Sequence, residues 1–566
     1  MSVAERFITH TVDNQAAPLG DYNAWLTDTA LREAVAREGG GWAEPHLAEF
    51  GGVAGGELMR LGYSANENKP KLRSFDRYGN RIDEIEFHPS YHRVMQLGMQ
   101  YGVHAFAWRN ADRPGAHVAR AALSYLHSQA EAGTGCPLTM THSAMPALMH
   151  QPEVAKFWGP LIHSYEYDPR VLPAAQKTGC TLGMGMTEKQ GGSDVRANTT
   201  RAYAQADGSY EIVGHKWFFS APMCDAWLVL AYVERAGQDA QAPQVGRDAA
   251  LRGAGITCFL MPKVLADGSR NAIRIQRLKD KLGDWSNASS EVEFQGAWAV
   301  RVGEEGRGVA TILEMVALTR LDCMIGSSAL MRQATVQALH HAATRKAFGK
   351  RLIEQPLMQN VLADLALESE GHAALTLRVA RAVDASARSA SEAAFARIAT
   401  AIGKYWVCKR TPALVNEAQE CLGGAGYVEE TNLPRLYRQA PLNSIWEGSG
   451  NIQCLDVLRA LSKEPETREA FFGELLATRG AHADLDSEIH WLTQAFDDRS
   501  TLETRSRMIV ERMALALQAS TLLRAGNSTV SDAFCASRLG GAHGFNFGTL
   551  PAGAPLAALI QRASLN

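Results

Sequence analysis

The spacing of apolar residues changes period twice along this chain, and that limits its architecture more than any single motif does. From about residue 91 to 180 the spacing is helical and rich in Ala, Leu and Met. Near 181 it turns β-like. Tyr210–Phe219 is aromatic and β-branched, and 226–233 and 255–261 are short apolar runs bounded by turn residues, the pattern of strands buried on both faces. After Gly308 it is helical again. Residues 309–350 contain no proline and place Ile312, Met315, Val316 and Leu318 at helical spacing. Residues 357–385 and 392–421 read as two more long helices, and 461–566 as mostly helical. Helices and strands that occupy separate stretches pack as separate units, so the chain is expected to be an α+β multidomain protein and not an alternating α/β sheet.

At 566 residues the chain exceeds one hydrophobic core, which implies two to four domains. A net charge of −3 supplies no global field for nucleic acid or anionic membrane. Nine dispersed cysteines without a C-x-x-C pair read as reduced, buried thiols of a cytoplasmic protein. The charged start MSVAERFITH is no secretory signal, and no apolar run approaches the roughly 20 residues of a membrane span. Smaller elements are also legible. Residues 76–87 form a hairpin turning at Gly79-Asn80, with Ile82, Ile85 and Phe87 as apolar partners. A second hairpin turns at 206–209, residues 235–254 make a surface loop, and 289–302 add a strand pair.

Five segments carry candidate chemistry. Met186-Thr187-Glu188-Lys189-Gln190-Gly191-Gly192-Ser193-Asp194 is polar with paired glycines, so its amides can approach an anionic or carbonyl ligand; taken alone, the segment reads more simply as a surface loop between a helix and a strand. Phe218-Phe219-Ser220 ends a strand, where aromatics can stack on a planar ring and a hydroxyl can meet a heteroatom, or simply finish a hydrophobic strand. Arg345-Lys346-Ala347-Phe348-Gly349-Lys350-Arg351 reads as the cationic end of a long helix or as a pyrophosphate clamp. Gln419 to Tyr427, with Gly423 and Gly424, is a helix cap or a phosphate approach; no strand precedes it, which excludes a Rossmann fingerprint. Finally, Glu447 lies in Ile445-Trp446-Glu447-Gly448-Ser449-Gly450-Asn451. A carboxylate against an aromatic in a dry turn has a raised pKa and can act as a base; the alternative is a helix-start Glu with Ser449 or Asn451 as cap. No metal-ligand spacing is present.

Taken in order, M-T-E-K-Q-G-G-S-D, H-K-W-F-F-S, R-K-A-F-G-K, Q-E-C-L-G-G-A-G-Y and W-E-G-S-G-N resemble the acyl-CoA dehydrogenase family over roughly 90–460. Pro18-Leu19-Gly20-Asp21-Tyr22-Asn23, Asp76-Arg77-Tyr78-Gly79-Asn80, Arg320-Leu321-Asp322-Cys323 and the added C-terminal segment extend the resemblance over nearly the whole chain to the AidB-type branch, flavoproteins of the bacterial response to DNA alkylation. The resemblance implies a helical N-terminal domain (1–180), a middle β-barrel-like domain (181–305), a helical bundle (306–460) and an appended helical domain (461–566). It also implies non-covalent FAD and a homotetramer. Met186, Thr187, Gly192 and Ser193 would line the flavin, Phe218, Phe219 and Ser220 would meet its ring, and Ile445, Trp446, Ser449 and Asn451 would complete the site. Arg345, Phe348, Gln355, Gln419, Gly423 and Gly424 would reach a neighbouring subunit's cofactor. Glu447 matches the family's catalytic base, acting on a short or branched acyl-CoA. Three departures reshape the pocket: Trp446 stands where tyrosine is common, Gln355 precedes Pro356 one place early, and Ser220-Ala221 replaces Thr-Asn.

The branch also implies double-stranded DNA as a partner, for which Arg459, Arg505, Arg507, Arg512 and Arg538 are the candidates. Residues 461–566 nevertheless carry a net charge of −2, so only a sided distribution could make a basic face. A protective flavoprotein without significant turnover, or an appended domain that serves assembly, are the alternatives.

Overall fold

The computed structural model describes residues 4–234 and 255–565; the loop expected at 235–254 lies outside the described residues. Helices dominate up to Ile162: Pro89–Gln100, Ala116–Ala130, Gly135–Leu148 and Pro152–Ile162 are the main ones. The helical spacing expected up to 180 stops there, and 163–181 is irregular, with one 3₁₀ turn at Ala174–Gln176. The Gly79-Asn80 turn is present, with Gly79 at φ +83°. Its strands, however, are Lys71–Phe75 and Arg81–Glu86, so the first lies upstream of the expected segment, while Phe87 leaves the strand and stacks on Tyr91 at 3.9 Å.

Seven strands form the middle sheet, and their pairing closes on itself. Ala226–Glu234 pairs with Arg201–Ala204, which pairs with Tyr210–Phe219, then Ser290–Val302, then Thr257–Pro262, which returns to Ala226–Glu234. Closure removes free edges and fills the interior with side chains. Almost every residue of Ala226–Glu234 is therefore buried. The expected pair at 289–302 is one continuous strand, Ser290–Val302. Its extra partner, Ile273–Leu278, is a six-residue strand that the sequence reading did not single out.

Beyond the barrel come three long helices, Gly308–Thr344, Pro356–Ala385 and Ala390–Cys421. A buried ion pair between Arg120 and Asp322 ties the first of them to the N-terminal helices, and Thr139 Oγ1 donates to the same carboxylate at 2.6 Å. The C-terminal helices Pro465–Leu476, Ala483–Ala495 and Leu502–Ala525 share one continuous apolar core with the bundle and the N-terminal helices, whereas the barrel has its own. Phe534 packs so closely on Gly371 that a Cβ there would meet its ring at 3.0 Å. All nine cysteines are free and buried. No helix among the described residues is long and apolar enough to cross a membrane.

Candidate functional site

Glu447 sits in a turn between Leu442–Ser444 and the helix Gly450–Lys463, with φ +56°. A non-glycine residue in the left-handed region costs on the order of 1–3 kcal/mol and persists only where its surroundings hold it. Here four side chains hold it. Arg320 Nε donates to the Glu447 carbonyl at 3.0 Å. Gln453 Nε2 donates to the carbonyls of Glu447 and Gly448 at 3.0 and 3.1 Å. The buried Lys404 ammonium donates to the carbonyl of Trp446 at 2.7 Å and also to that of Gly448. Thr319 Oγ1 donates to the carboxylate Oε2 at 2.7 Å. Gly448 at φ +93° leaves room for Gln453: a Cβ there would lie 2.7 Å from its amide nitrogen. Ser449 precedes the helix without a side-chain cap, so the helix-start explanation for this turn does not apply.

Burial lifts the Glu447 carboxyl above the usual carboxylate range, while the Thr319 hydroxyl and the charges of Lys404 and Arg320 pull it partly back. Trp446 packs against the barrel core and donates through Nε1 to Asn443 Oδ1 at 2.9 Å, tying the turn to the bundle. Cys136, near the start of Gly135–Leu148, is within electrostatic reach of both Glu447 and Asp284. Burial pushes Asp284 up to about 6, and its Oδ1, like Asn287 Oδ1, is buried without a partner among the described residues.

The Thr187–Asp194 loop is organised by a side chain the sequence did not single out. Glu188 is fully buried against Lys216 at 2.8 Å, both side chains 0% exposed. Its carboxylate also accepts from the Thr199 N–H at 2.7 Å and from Thr200 Oγ1 at 2.6 Å. This anchor holds the half-buried Met186 and Thr187 and presents Gly192 and Ser193 to solvent. A Cβ on Gly192 would press on Thr187 Oγ1 at 3.2 Å. Phe218, Phe219 and Ser220 separate: Phe218 is 50% exposed, whereas Phe219 is fully buried beside Trp227 and Phe294. Alternation along a strand sends neighbours to opposite faces, so the Phe219 side chain belongs to the barrel core and not to a ligand site.

The Arg345–Arg351 segment is not a helix end. The helix stops at Thr344, and Lys346–Ala347 pairs with Lys350–Arg351 across a turn in which Phe348 (φ +51°) and Gly349 (φ +80°) are both left-handed. Phe348 stands 99% exposed at its tip. Arg345 donates to the Asn14 carbonyl, and Gln355 Nε2 to the Ala347 carbonyl at 3.0 Å. At the other glycine segment the helix ends at Cys421. Gln419 Nε2 donates to the Gly426 carbonyl at 2.7 Å, and Gly423 and Gly424 have open space where a side chain would stand. Ile445, Ser449 and Asn451 are exposed around Glu447.

Of the five arginines considered for DNA, Arg512 is paired with the buried Glu488, and Arg538 with Asp364 and Glu368. Arg505 closes its own helix start, donating to Thr501 Oγ1 at 2.8 Å and to the Asp498 carbonyl at 2.9 Å. Their charges are spent inside the fold; Arg459 and Arg507 are exposed. Among the described residues no cluster of His, Cys, Asp or Glu could hold a metal ion.

Lys404 and Thr319 are the most consequential residues the sequence reading missed. Lys404 had a signal, as the lone charge inside Ala401-Ile402-Gly403-Lys404-Tyr405-Trp406-Val407-Cys408. Thr319 had none, since only the fold brings it to Glu447. The arrangement provides a strained, poorly solvated carboxylate beside a barrel edge with an exposed aromatic and an anchored glycine loop. The half-buried Thr187 hydroxyl has no protein partner among the described residues, which fits a polar planar cofactor at this edge.

Comparison with known proteins agrees. Residues 14–169 match the adaptive response protein AidB N-terminal domain, 183–297 the acyl-CoA dehydrogenase middle domain and 306–462 its C-terminal domain. AidB of Escherichia coli (strain K12) is 47% identical over 529 residues, covering 93% of this chain and 94% of that protein. Acyl-CoA dehydrogenase family member 11 of Caenorhabditis elegans is 30% identical over 84% of this chain and 75% of its own length. The crystal structure of Caenorhabditis elegans ACDH-11 in complex with C11-CoA superposes with a TM-score of 0.82 at 25% identity, covering 100% of this chain and 95% of that one. The chain belongs to the acyl-CoA dehydrogenase family of FAD-dependent oxidoreductases, in its AidB-type branch.

Proposed function

We propose that this protein dehydrogenates a short or branched acyl thioester between its α and β carbons, with Glu447 as the base. The observation that carries this reading is the Glu447 turn: a carboxylate raised by burial, oriented by Thr319 and clamped at a strained φ. Raising the carboxyl pKa by burial makes the carboxylate a stronger base toward a carbon-bound proton. The Glu447 N–H has no acceptor among the described residues and is free to polarise the thioester oxygen as negative charge develops there. FAD, when bound, supplies the acceptor for the hydride leaving the β carbon. Met186, Thr187, Gly192, Ser193, Phe218 and Ser220 are the residues that would hold it, with Ile445, Trp446, Ser449 and Asn451 beside Glu447.

We infer a homotetramer in which Arg345, Phe348, Gln355, Gln419, Gly423 and Gly424 serve a neighbour's cofactor. The support is that large apolar side chains at or near these positions in the chain are exposed: Phe348, Leu357 at 84% and Tyr427 at 85%. The nine free cysteines support a reducing, cytoplasmic setting. A role in the response to DNA alkylation rests on the AidB likeness. For DNA contact it keeps Arg459 and Arg507 of the five arginines, and an affinity that falls steeply across a salt series is its test.

The deciding experiment is anaerobic mixing of FAD-loaded protein with acyl-CoAs. Wild type should bleach the flavin band, and Glu447→Gln should keep FAD while bleaching more than 100-fold more slowly. Equal bleaching by the variant removes Glu447 from this role.

A further inference from the structure

Away from the Glu447 turn, a cavity of about 350 Å³ lies between the hairpin, the helix Pro89–Gln100, the irregular run after Ile162 and the barrel loop that follows Phe219. That volume is at the lower end of the roughly 300–1,000 Å³ of small-molecule sites. Ile85, Phe87, Met95, Met99, Leu172 and Met223 make an apolar wall. The methionines are unbranched and polarisable, and they adapt to chains of varying shape.

The opposite wall is charged, and its ions pair off with one exception. Lys177 pairs with Asp225, Arg170 with Asp168 at 2.7 Å, and Glu84 with Arg270. Lys263 remains. Its backbone N–H donates to the Asp225 carbonyl at 2.8 Å, but its half-buried side chain makes no hydrogen bond or ion pair among the described residues. Burial draws its pKa down to about 8, with Asp225 opposing and Arg270 adding to the fall, so it remains mostly cationic at neutral pH. The Tyr91 hydroxyl, from another lining residue, is also buried without a partner among the described residues. A cation without an ion-pair partner, set beside an apolar wall, is a ready site for an anion with an apolar body.

We propose that this cavity binds a monocarboxylate with an apolar body, its carboxylate on Lys263 and its chain along Met95, Met99 and Met223. The site is separate from the Glu447 turn, none of whose residues line it. A coenzyme A thioester lacks the free carboxylate, and an alcohol lacks the charge, so both discriminate the recognition.

Calorimetric titration of the FAD-loaded protein with decanoate, decanol and decanoyl-CoA tests this, with the visible spectrum followed in parallel. Decanoate should bind without shifting the flavin band, and decanol at least roughly 10-fold more weakly, the difference expected for one hydrogen-bonded charge. Lys263→Met should weaken decanoate by a similar factor. Val171→Trp, at the 37% exposed rim, should block it by filling the mouth while sparing the core. The proposal is overturned if decanoate fails to bind wild type, if decanol matches it, if its affinity is unchanged in both variants, or if its binding shifts the flavin band as an occupant of the Glu447 site would. Because the heat of binding is read directly, this outcome does not depend on whether any acyl-CoA is turned over.

Discussion

Replacing Lys404 by methionine should disable the Glu447 turn without unfolding the bundle. The ammonium donates to the carbonyls on either side of Glu447, those of Trp446 and Gly448. Charge-assisted bonds contribute about 1.5–3 kcal/mol each. Methionine keeps most of the aliphatic packing, so roughly 3 kcal/mol of clamping is lost. That is comparable to the 1–3 kcal/mol of strain stored in a left-handed non-glycine residue. The turn then relaxes from φ +56°, and at about 1.4 kcal/mol per tenfold the competent population falls by roughly 100-fold. A second effect has a definite sign. Lys404 is one of the charges that lower the Glu447 pKa, so removing it leaves burial less opposed and moves the pKa up. The assay is the rate of anaerobic flavin reduction by acyl-CoA against pH, with FAD content and circular dichroism as controls. The expected outcome is a rate down about 100-fold, the acid limb of the profile displaced to higher pH and FAD retained. A Lys404→Met protein with wild-type rate and an unmoved profile would refute the clamp.

Two stability predictions follow from buried ionisable groups. Glu188→Gln strands Lys216 in the barrel and should cost about 3–5 kcal/mol, with a lower melting temperature and weaker FAD retention. Burial raises the Glu188 carboxyl, but Lys216 and the bonds from Thr200 and Thr199 outweigh it and hold it at about 2. Its contribution is therefore complete above 4.5 and is lost as pH falls towards 2. Three histidines of the N-terminal part, two of them against Trp108, act higher on the pH scale. Burial depresses His104 to about 3 and His117 and His163 to about 4, below the 6.5 of an unfolded chain. The unfolded state thus takes up protons first, and stability should be flat above pH 7 and fall between about 6.5 and 4. Melting curves across pH 2–9 check both windows, and a melting temperature that does not change between pH 7 and 4 would contradict the second. For assembly, Phe348→Asp should shift the sedimenting species below a tetramer, because it puts a charge on a 99% exposed aromatic that the proposed interface buries.

Much of this protein is written locally in its chain. Where side-chain period sets the element, the reading holds: the aromatic and β-branched run Tyr210–Phe219 is a strand, the proline-free stretch after Gly308 is a 37-residue helix, and Gly79 and Gly208 turn their hairpins with positive φ. The five ordered motifs likewise identify the family, because residue types at fixed spacing persist without any knowledge of contacts. Tertiary structure decided what period and spacing cannot carry. Ser290–Val302 is one strand because the closed barrel pairs it along its length. Phe219 is core because its register in that barrel sends it inward. Arg512 and Arg538 are neutralised by carboxylates 24 and 174 residues away. Above all, Glu447 becomes a candidate base only where Thr319 and Lys404, distant in the chain, converge on its turn. Burial and partner charges set its proton affinity, and both are properties of the packed molecule and not of any segment.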